Sequence, residues 1–326
     1  MRVAIDVSPL QQTRAGTARY LKGLLRELGR RDDIDVRIRS FGRGDRLSTL
    51  VRDAVWYPFA LGREQAADVL HCPTYRGPPR PARPLVVTVH DLAVFRHPET
   101  FNRWTRTYSP RVVPRVLAGA RRIISVSEFT KRELVEVLSL PPEKVRVVPN
   151  AVDDAFTNEG PAAEGDYVLA VGTLEPRKNL PRLVEAARRK DVELRIVGAS
   201  GWGDVSVGGN GVRWLGEVSD AELARLYRGA RCVAYPSLYE GFGIPVLEAM
   251  ACGVPVVTSR GTAMEEVADG AAVLVDTSDA EELAAGMERA AAERERLVPR
   301  GLERARAFRW NRVAAATVEV YREAIA

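Results

Sequence analysis

Short, uninterrupted apolar runs alternate with stretches of helical period along the whole of this 326-residue chain, and that alternation limits the folds open to it. In the first half the runs are RVAID, DVRIRSF, ADVLHC, PLVVTVH, RRIISVS and VRVVPN, with helical stretches at Thr17–Arg30, Asn102–Ala118 and Glu128–Leu138. The second half repeats the scheme with YVLAVG, ELRIVGA, VRWLG, RCVAYPS, PVVTS and AVLVD. Its helices are expected over Leu180–Lys190, Asp220–Gly229, Pro245–Ala251 and Ala280–Arg296. Strands that are apolar on both faces belong to parallel sheets covered by helices on both sides. The pattern therefore predicts an α/β protein of two doubly wound domains, as a chain of this length allows at roughly 150 residues per domain. The aperiodic NEGPAAEGD, Asn158–Asp166, is the expected linker. A last helix after Trp310, with Val313, Thr317, Val320, Tyr321 and Ala324 on one stripe, is expected to pack back on the first domain. The domains are thus 1–158 plus 311–326, and 165–310.

In SLYEGFGIPVLEAMACGVPVV, Glu240 leaves the carboxyl end of a strand and Glu248 lies one turn into a helix opened by Pro245 and closed by Gly253. Ligands of open α/β sheets bind at that edge. Gly241 and Gly243 lack a Cβ and admit close approach, and helix-start amides receive phosphate oxygens. Carboxylates on both sides of an anion site are best aimed at hydroxyls, one set on a sugar and one on a ribose. In AVGTLEPRKNLPRLVEAAR, Arg177 and Lys178 precede a helix whose N-cap is expected at Asn179. Cations are unfavourable at that end of a helix dipole, and a bound phosphate would resolve the conflict. His90 ends the strand PLVVTV at the same kind of edge. His71 reads as part of a structural loop and His97 as a surface turn.

These motifs, with AGTARY, TVHDL, VSEFTKREL and VVPNAVD, resemble those of the retaining glycosyltransferases of family 4, and VGTLEPRKNL is similar to bacterial mannosyltransferases of surface-polysaccharide assembly. The resemblance implies a GT-B fold, two Rossmann-like domains facing a central cleft. It implies that Arg177 and Lys178 hold the diphosphate of a nucleotide-sugar donor, that Glu240 binds the donor sugar and that Glu248 binds the ribose. Phe242, Gly243 and Ile244 would contact sugar and phosphate beside Gly241, and Val218 would meet the base. From the first domain, Gly16 would lie by the phosphates and His90 would face the donor sugar. Arg177, Lys178, Glu240 and His90 are the catalytic candidates. Mannose from GDP-mannose is the donor that this resemblance favours. The acceptor would be a glycan, glycolipid or small molecule, lined by the loops RGDRLST and RHPETFNRWTRTYSPR. A nucleotide-sugar epimerase of the same fold and a non-catalytic nucleotide-sugar-binding protein are the alternatives.

No cofactor and no metal are expected. The lone Asp-x-Asp pattern, Asp33-Ile34-Asp35, enters a strand at its amino end, away from the ligand edge. A G-x-G-x-x-G fingerprint after the first strand is absent, which argues against a dinucleotide oxidoreductase. Three scattered cysteines form neither a disulfide framework nor a zinc site. No apolar run reaches the length of a membrane span, and no secretory leader follows Met1, so a cytoplasmic protein is expected. Residues 1–159 hold 27 Lys/Arg against 18 Asp/Glu. That excess fits an anionic partner, such as the inner membrane face or a phosphorylated acceptor, and equally an arginine-rich composition. Nucleic acid is not expected.

Overall fold

The computed structural model describes residues 1–11, 16–101, 103–201, 205 and 207–326. Asn102 and the first letter of the AGTARY motif, Ala15, lie outside the described residues. The chain divides into two compact units, Met1–Ala151 with Trp310–Ala326, and Val152–Arg309. The division falls before the expected linker, so Asn158–Asp166 belongs to the second unit. Its backbone is tied there: Arg228 of the second unit donates to the Pro161 carbonyl at 2.8 Å, and Ala163 N–H bonds the Arg225 carbonyl.

The first unit holds a parallel sheet in the order β2-β1-β3-β4-β5-β6. The strands are β1 (Arg2–Asp6), β2 (Asp35–Arg39), β3 (Val69–Cys72), β4 (Leu85–Val89), β5 (Arg122–Ser125) and β6 (Val145–Val147). Strand order reverses between β1 and β3, and a crevice opens at such a point beyond the strands' carboxyl ends. Every residue of β3 and β4 is buried. That places His71 inside a strand rather than in a loop. Its Nδ1 meets the Tyr321 hydroxyl at 2.7 Å and its Nε2 meets Thr88 Oγ1 at 2.8 Å, while Thr88 also meets the Tyr20 hydroxyl at 3.0 Å. Burial, reinforced by His90, pushes the His71 pKa down to about 3, so the ring stays neutral and serves as a fixed crosslink. The helix Trp310–Ile325 buries Val313, Thr317, Val320, Tyr321 and Ala324 against the core of this unit.

The second unit has the sheet order β12-β11-β10-β7-β8-β9. Its strands are β7 (Tyr167–Val171), β8 (Glu193–Val197), β9 (Val212–Gly216), β10 (Cys232–Tyr235), β11 (Val256–Ser259) and β12 (Val273–Val275). Strand order reverses between β7 and β10, the strands that feed the two motifs singled out above. Local chemistry starts the helices: Ser219 Oγ accepts from Glu222 N–H at 3.2 Å, and Asp279 accepts from Glu281 N–H at 2.8 Å. The helix expected over Ala280–Arg296 is instead two, Ala280–Ala292 and Arg294–Arg306, broken at Glu293. All three cysteines are buried and unpaired.

Candidate active site

At the carboxyl end of β7 the chain turns through Pro176–Lys178 into the helix Leu180–Arg189. Beyond β10 it runs through Ser237–Gly243 into the helix Ile244–Ala251. The switch point brings these two loops together, so Arg177 and Lys178 meet Glu240 although more than 60 residues separate them. Arg177 donates to Glu240 Oε2 at 2.9 Å and to the Tyr239 carbonyl at 3.1 Å, and it pairs with Glu175 at 2.9 Å. Lys178 pairs with Glu240 Oε1, the same oxygen that accepts from the Tyr235 hydroxyl at 3.0 Å. Lys178 also donates to Tyr235 at 2.9 Å.

Glu240 is 8% exposed and Lys178 9%. Buried charges persist only when paired and hydrogen-bonded. Burial opposes the Glu240 charge, but Arg177 and Lys178 more than offset it and hold the carboxyl at about 2. Burial likewise works against the Lys178 ammonium, and Glu240 reverses the effect, so its pKa rises. Glu175 moves the other way: desolvation raises its pKa against the pull of Arg177 and Lys178, and its Oε2 is buried without a hydrogen bond. The counter-charge expected from a phosphate is therefore already supplied within the chain, by Glu240 and Glu175. The two cations are balanced by two carboxylates.

Asn179 stands at the expected cap position but does not cap. Its backbone is left-handed at φ 56°, and its side-chain amide donates to the Thr277 carbonyl at 2.7 Å. That bond ties the turn carrying the two cations to the loop after β12. Gly243 begins the other helix at φ +99°, a conformation that favours glycine. A Cβ there would lie 2.8 Å from Met264 Cγ. Gly241 and Phe242 are buried in the same turn, Phe242 edge-on to Phe308 at 5.8 Å, and Ile244 and Pro245 are half-buried.

Glu248 does not join the cation cluster. It is 2% exposed on the helix Ile244–Ala251 and accepts from the Tyr227 hydroxyl at 2.9 Å. Val218 is half-buried just before Ser219, the cap of the helix Asp220–Gly229 that carries Tyr227. Sequence reasoning missed Tyr227 and Tyr235. Tyr235 was readable, since a hydroxyl-bearing residue ends the apolar run RCVAYPS at the ligand edge; Tyr227 on a helix face offered no such signal. An open cavity of about 690 Å³ lined by Arg188, Glu193 and Arg213 lies instead at the starts of β8 and β9, the edge opposite the switch-point crevice.

The two remaining site residues belong to the first unit. Gly16 begins the helix Gly16–Leu28. His90 follows β4, places Nε2 3.0 Å from the Pro73 carbonyl and takes the edge of Tyr20 at 4.9 Å between ring centres. With Nε2–H donating to Pro73, Nδ1 is left as the acceptor nitrogen. Burial lowers the His90 pKa against the opposing pull of Asp91, which favours the neutral ring. His97 sits in a turn with Nδ1 3.4 Å from Glu99. Asp33 and Asp35 lie at the amino end of β2, paired with Arg31 and Arg37. Among the described residues no group of three or more His, Cys, Asp or Glu is placed to hold a metal ion, and no helix is long and apolar enough to cross a membrane.

Two family models match. Residues 152–304 fit the glycosyl transferases group 1 model, and residues 14–156 fit glycosyltransferase family 4. Among curated relatives, the O-antigen chain mannosyltransferase B of Escherichia coli is 32% identical over 282 residues, covering 78% of this chain and 74% of its own. Among solved structures, the sucrose-phosphate synthase of Thermosynechococcus elongatus superposes with a TM-score of 0.77 at 19% identity, over 99% of this chain and 98% of that one. The Anabaena protein HepE, solved with UDP and glucose, gives 0.71 at 17% identity over 98% of both chains.

Proposed function

This chain is a glycosyltransferase of family 4 with the GT-B fold, and from that premise we propose that it transfers mannose from GDP-mannose, with retention of anomeric configuration and without a metal ion, to a hydroxyl of a glycan or glycolipid. The observation that carries the reading is the convergence of Arg177 and Lys178 on Glu240 at the switch point between β7 and β10. The resemblance of VGTLEPRKNL to mannosyltransferases, and the O-antigen relative, support mannose and a surface-polysaccharide acceptor.

In this reading the donor's diphosphate replaces Glu240 as the partner of the two cations. Arg177 and Lys178 exchange a single carboxylate for the two charges of the diphosphate, and Glu240 is released to accept hydrogen bonds from the sugar's hydroxyls. The same cations then stabilise the charge that builds on the departing nucleoside diphosphate while the sugar takes on oxocarbenium character. Backbone amides from Gly241 to Ile244 add donors at a helix start. Glu248, which Tyr227 orients, is the proposed acceptor for the ribose hydroxyls, and Val218 the proposed contact for the base. For the first unit the proposed roles are His90, whose neutral ring keeps Nδ1 as an acceptor, for a sugar hydroxyl, and Gly16 for the phosphates.

The test is thermal denaturation with a panel of nucleoside diphosphates and nucleotide sugars, followed by turnover. A ligand present at about 100 times its Kd adds about 2.7 kcal/mol of stability. GDP and GDP-mannose should raise the melting temperature more than their uridine counterparts. The Arg177→Ala, Lys178→Ala double variant should lose both the shift and transfer. Chelation by EDTA should leave the rate unchanged, and the product should keep the donor's anomeric configuration by NMR. Near-normal turnover in the double variant would overturn the assignment.

A further inference from the structure

Among the described residues, six of the eleven large apolar side chains that remain exposed sit in one place: Leu47, Leu50, Val51, Val55, Phe59 and Trp104. The first five lie on consecutive helical segments, Arg46–Val51 and Arg52–Ala60. The second segment is wound with i→i+5 hydrogen bonds, wider than an α-helical turn, so residues four apart stay nearly in line. Leu47, Val51, Val55 and Phe59 follow that spacing, and Leu50 flanks it. They form one stripe.

The opposite face of the Arg52–Ala60 segment is ionic, and it is the face turned inward. Arg52 and Asp53 are each 3% exposed. Asp53 takes Arg76 at 2.6 Å and the Trp104 indole N–H at 3.3 Å, and Tyr57 donates to Asp6 at the end of β1 at 2.8 Å. A surface helix ordinarily hides its apolar stripe and shows its charges. This one does the reverse, and interior bonds lock it in that orientation. A contiguous exposed apolar patch of this kind marks an interaction surface.

We propose that this face docks on an anionic lipid bilayer, with the stripe and the Trp104 ring lying at the level of the acyl boundary. Charge identifies the occupant. The helix Arg103–Gly119, which Trp104 ties to the stripe, carries Arg103, Arg106, Arg111 and Arg115 and no carboxylate, and all four arginines are exposed. Asp45, at the start of the stripe, is engaged in capping Ser48. A second copy of this chain meeting itself across a two-fold axis would set arginine against arginine. A sheet of anionic headgroups complements them, at about 1 kcal/mol per basic residue near the surface. A stripe of Leu, Val, Phe and Trp bordered by arginines has the make-up of an element that lies on a membrane rather than crossing it. The inference does not depend on which donor the enzyme uses.

The full chain is sedimented with vesicles of phosphatidylcholine alone and of phosphatidylcholine with an equal part of phosphatidylglycerol, at low and high salt. The unsubstituted protein should bind the anionic vesicles, and added salt should weaken that binding. Leu47→Ser, Val55→Ser, Phe59→Ser together should reduce partitioning at least about tenfold with the melting temperature unchanged, since all three side chains are already exposed. Arg103→Glu with Arg106→Glu should abolish the preference for anionic over neutral vesicles. Ile325→Ser, an exposed apolar position on another helix, should bind as the unsubstituted protein does. The proposal is overturned if the unsubstituted protein ignores anionic vesicles at low salt, or if the triple variant binds undiminished. It is equally overturned if the stripe instead proves to hold two copies together, seen as a dimer in solution that the triple variant dissolves.

Discussion

Glu240 receives two cations and a phenol on a carboxylate that water barely reaches, so its charge depends on them. The sign of the pH dependence follows. Its folded pKa of about 2 lies below the ordinary 4.5. The pairing therefore stabilises fully above about pH 4.5 and is lost as pH falls through 2. A shift of that size corresponds to on the order of 3 kcal/mol. The urea midpoint of the unsubstituted protein should fall steeply on acidification across that window. Glu240→Gln, less stable at neutral pH, should show a shallower fall, and parallel profiles would remove Glu240 as the titrating group. Arg177, Lys178 and Glu240 could be singled out in the sequence as candidates because each follows a strand's carboxyl end within a few residues, and Glu248 because Pro245 and Gly253 bracket its helix. Their pairing was not legible. Nothing local links Lys178 to Glu240; the contact exists only because β7 and β10 are sheet neighbours, and sequence alone does not give sheet order. For the same reason the cluster read as positive when it is balanced.

The interior strands were visible in the sequence because double-sided burial leaves no polar interruption, as in β4, where all five residues are buried. Elements whose faces break that logic were not. The Arg46–Ala60 stretch carries charges inward and apolar side chains outward, so its pattern signals no surface helix. The break at Glu293 falls between an Ala/Glu-rich helix and an Arg-rich one, with no glycine or proline at the junction to mark the end. Asn179 occupied a cap position with a cap residue type, yet the Thr277 carbonyl took its amide. Glycine at position 23 makes a tighter demand than its helical setting suggests. A Cβ there would fall 2.3 Å from the Trp310 indole, which packs directly on the backbone of the helix Gly16–Leu28. In an isolated helix Gly→Ala is favourable by about 1 kcal/mol. Here overpacking should win, and Gly23→Ala should destabilise by about 1–3 kcal/mol in chemical denaturation. Trp310→Ala in the same background should recover part of that loss if the clash is its cause.

The chain leaves the first unit at Ala151 and returns to it at Trp310, so that unit is built from two stretches separated by the whole of the second. The returning helix buries Trp310, Val313, Val318, Val320 and Tyr321 in the first unit's core, and Tyr321 completes the hydrogen bond to His71. At roughly 1.5–3 kcal/mol per buried side chain, those five contribute on the order of 10 kcal/mol, comparable to the whole stability of about 5–15 kcal/mol of a domain. Ending the chain after Arg309 should therefore unfold the first unit and spare the second. Limited proteolysis should degrade residues before Ala151 and leave a resistant fragment starting near Val152; a truncated chain as resistant as the full one would show that the helix is dispensable. The order of events on the ribosome follows from this division. The amino-terminal half emerges first but cannot close, because the segment that seals it is translated only after Arg309. It must wait, open and rich in exposed β-strand, while the later half folds ahead of it.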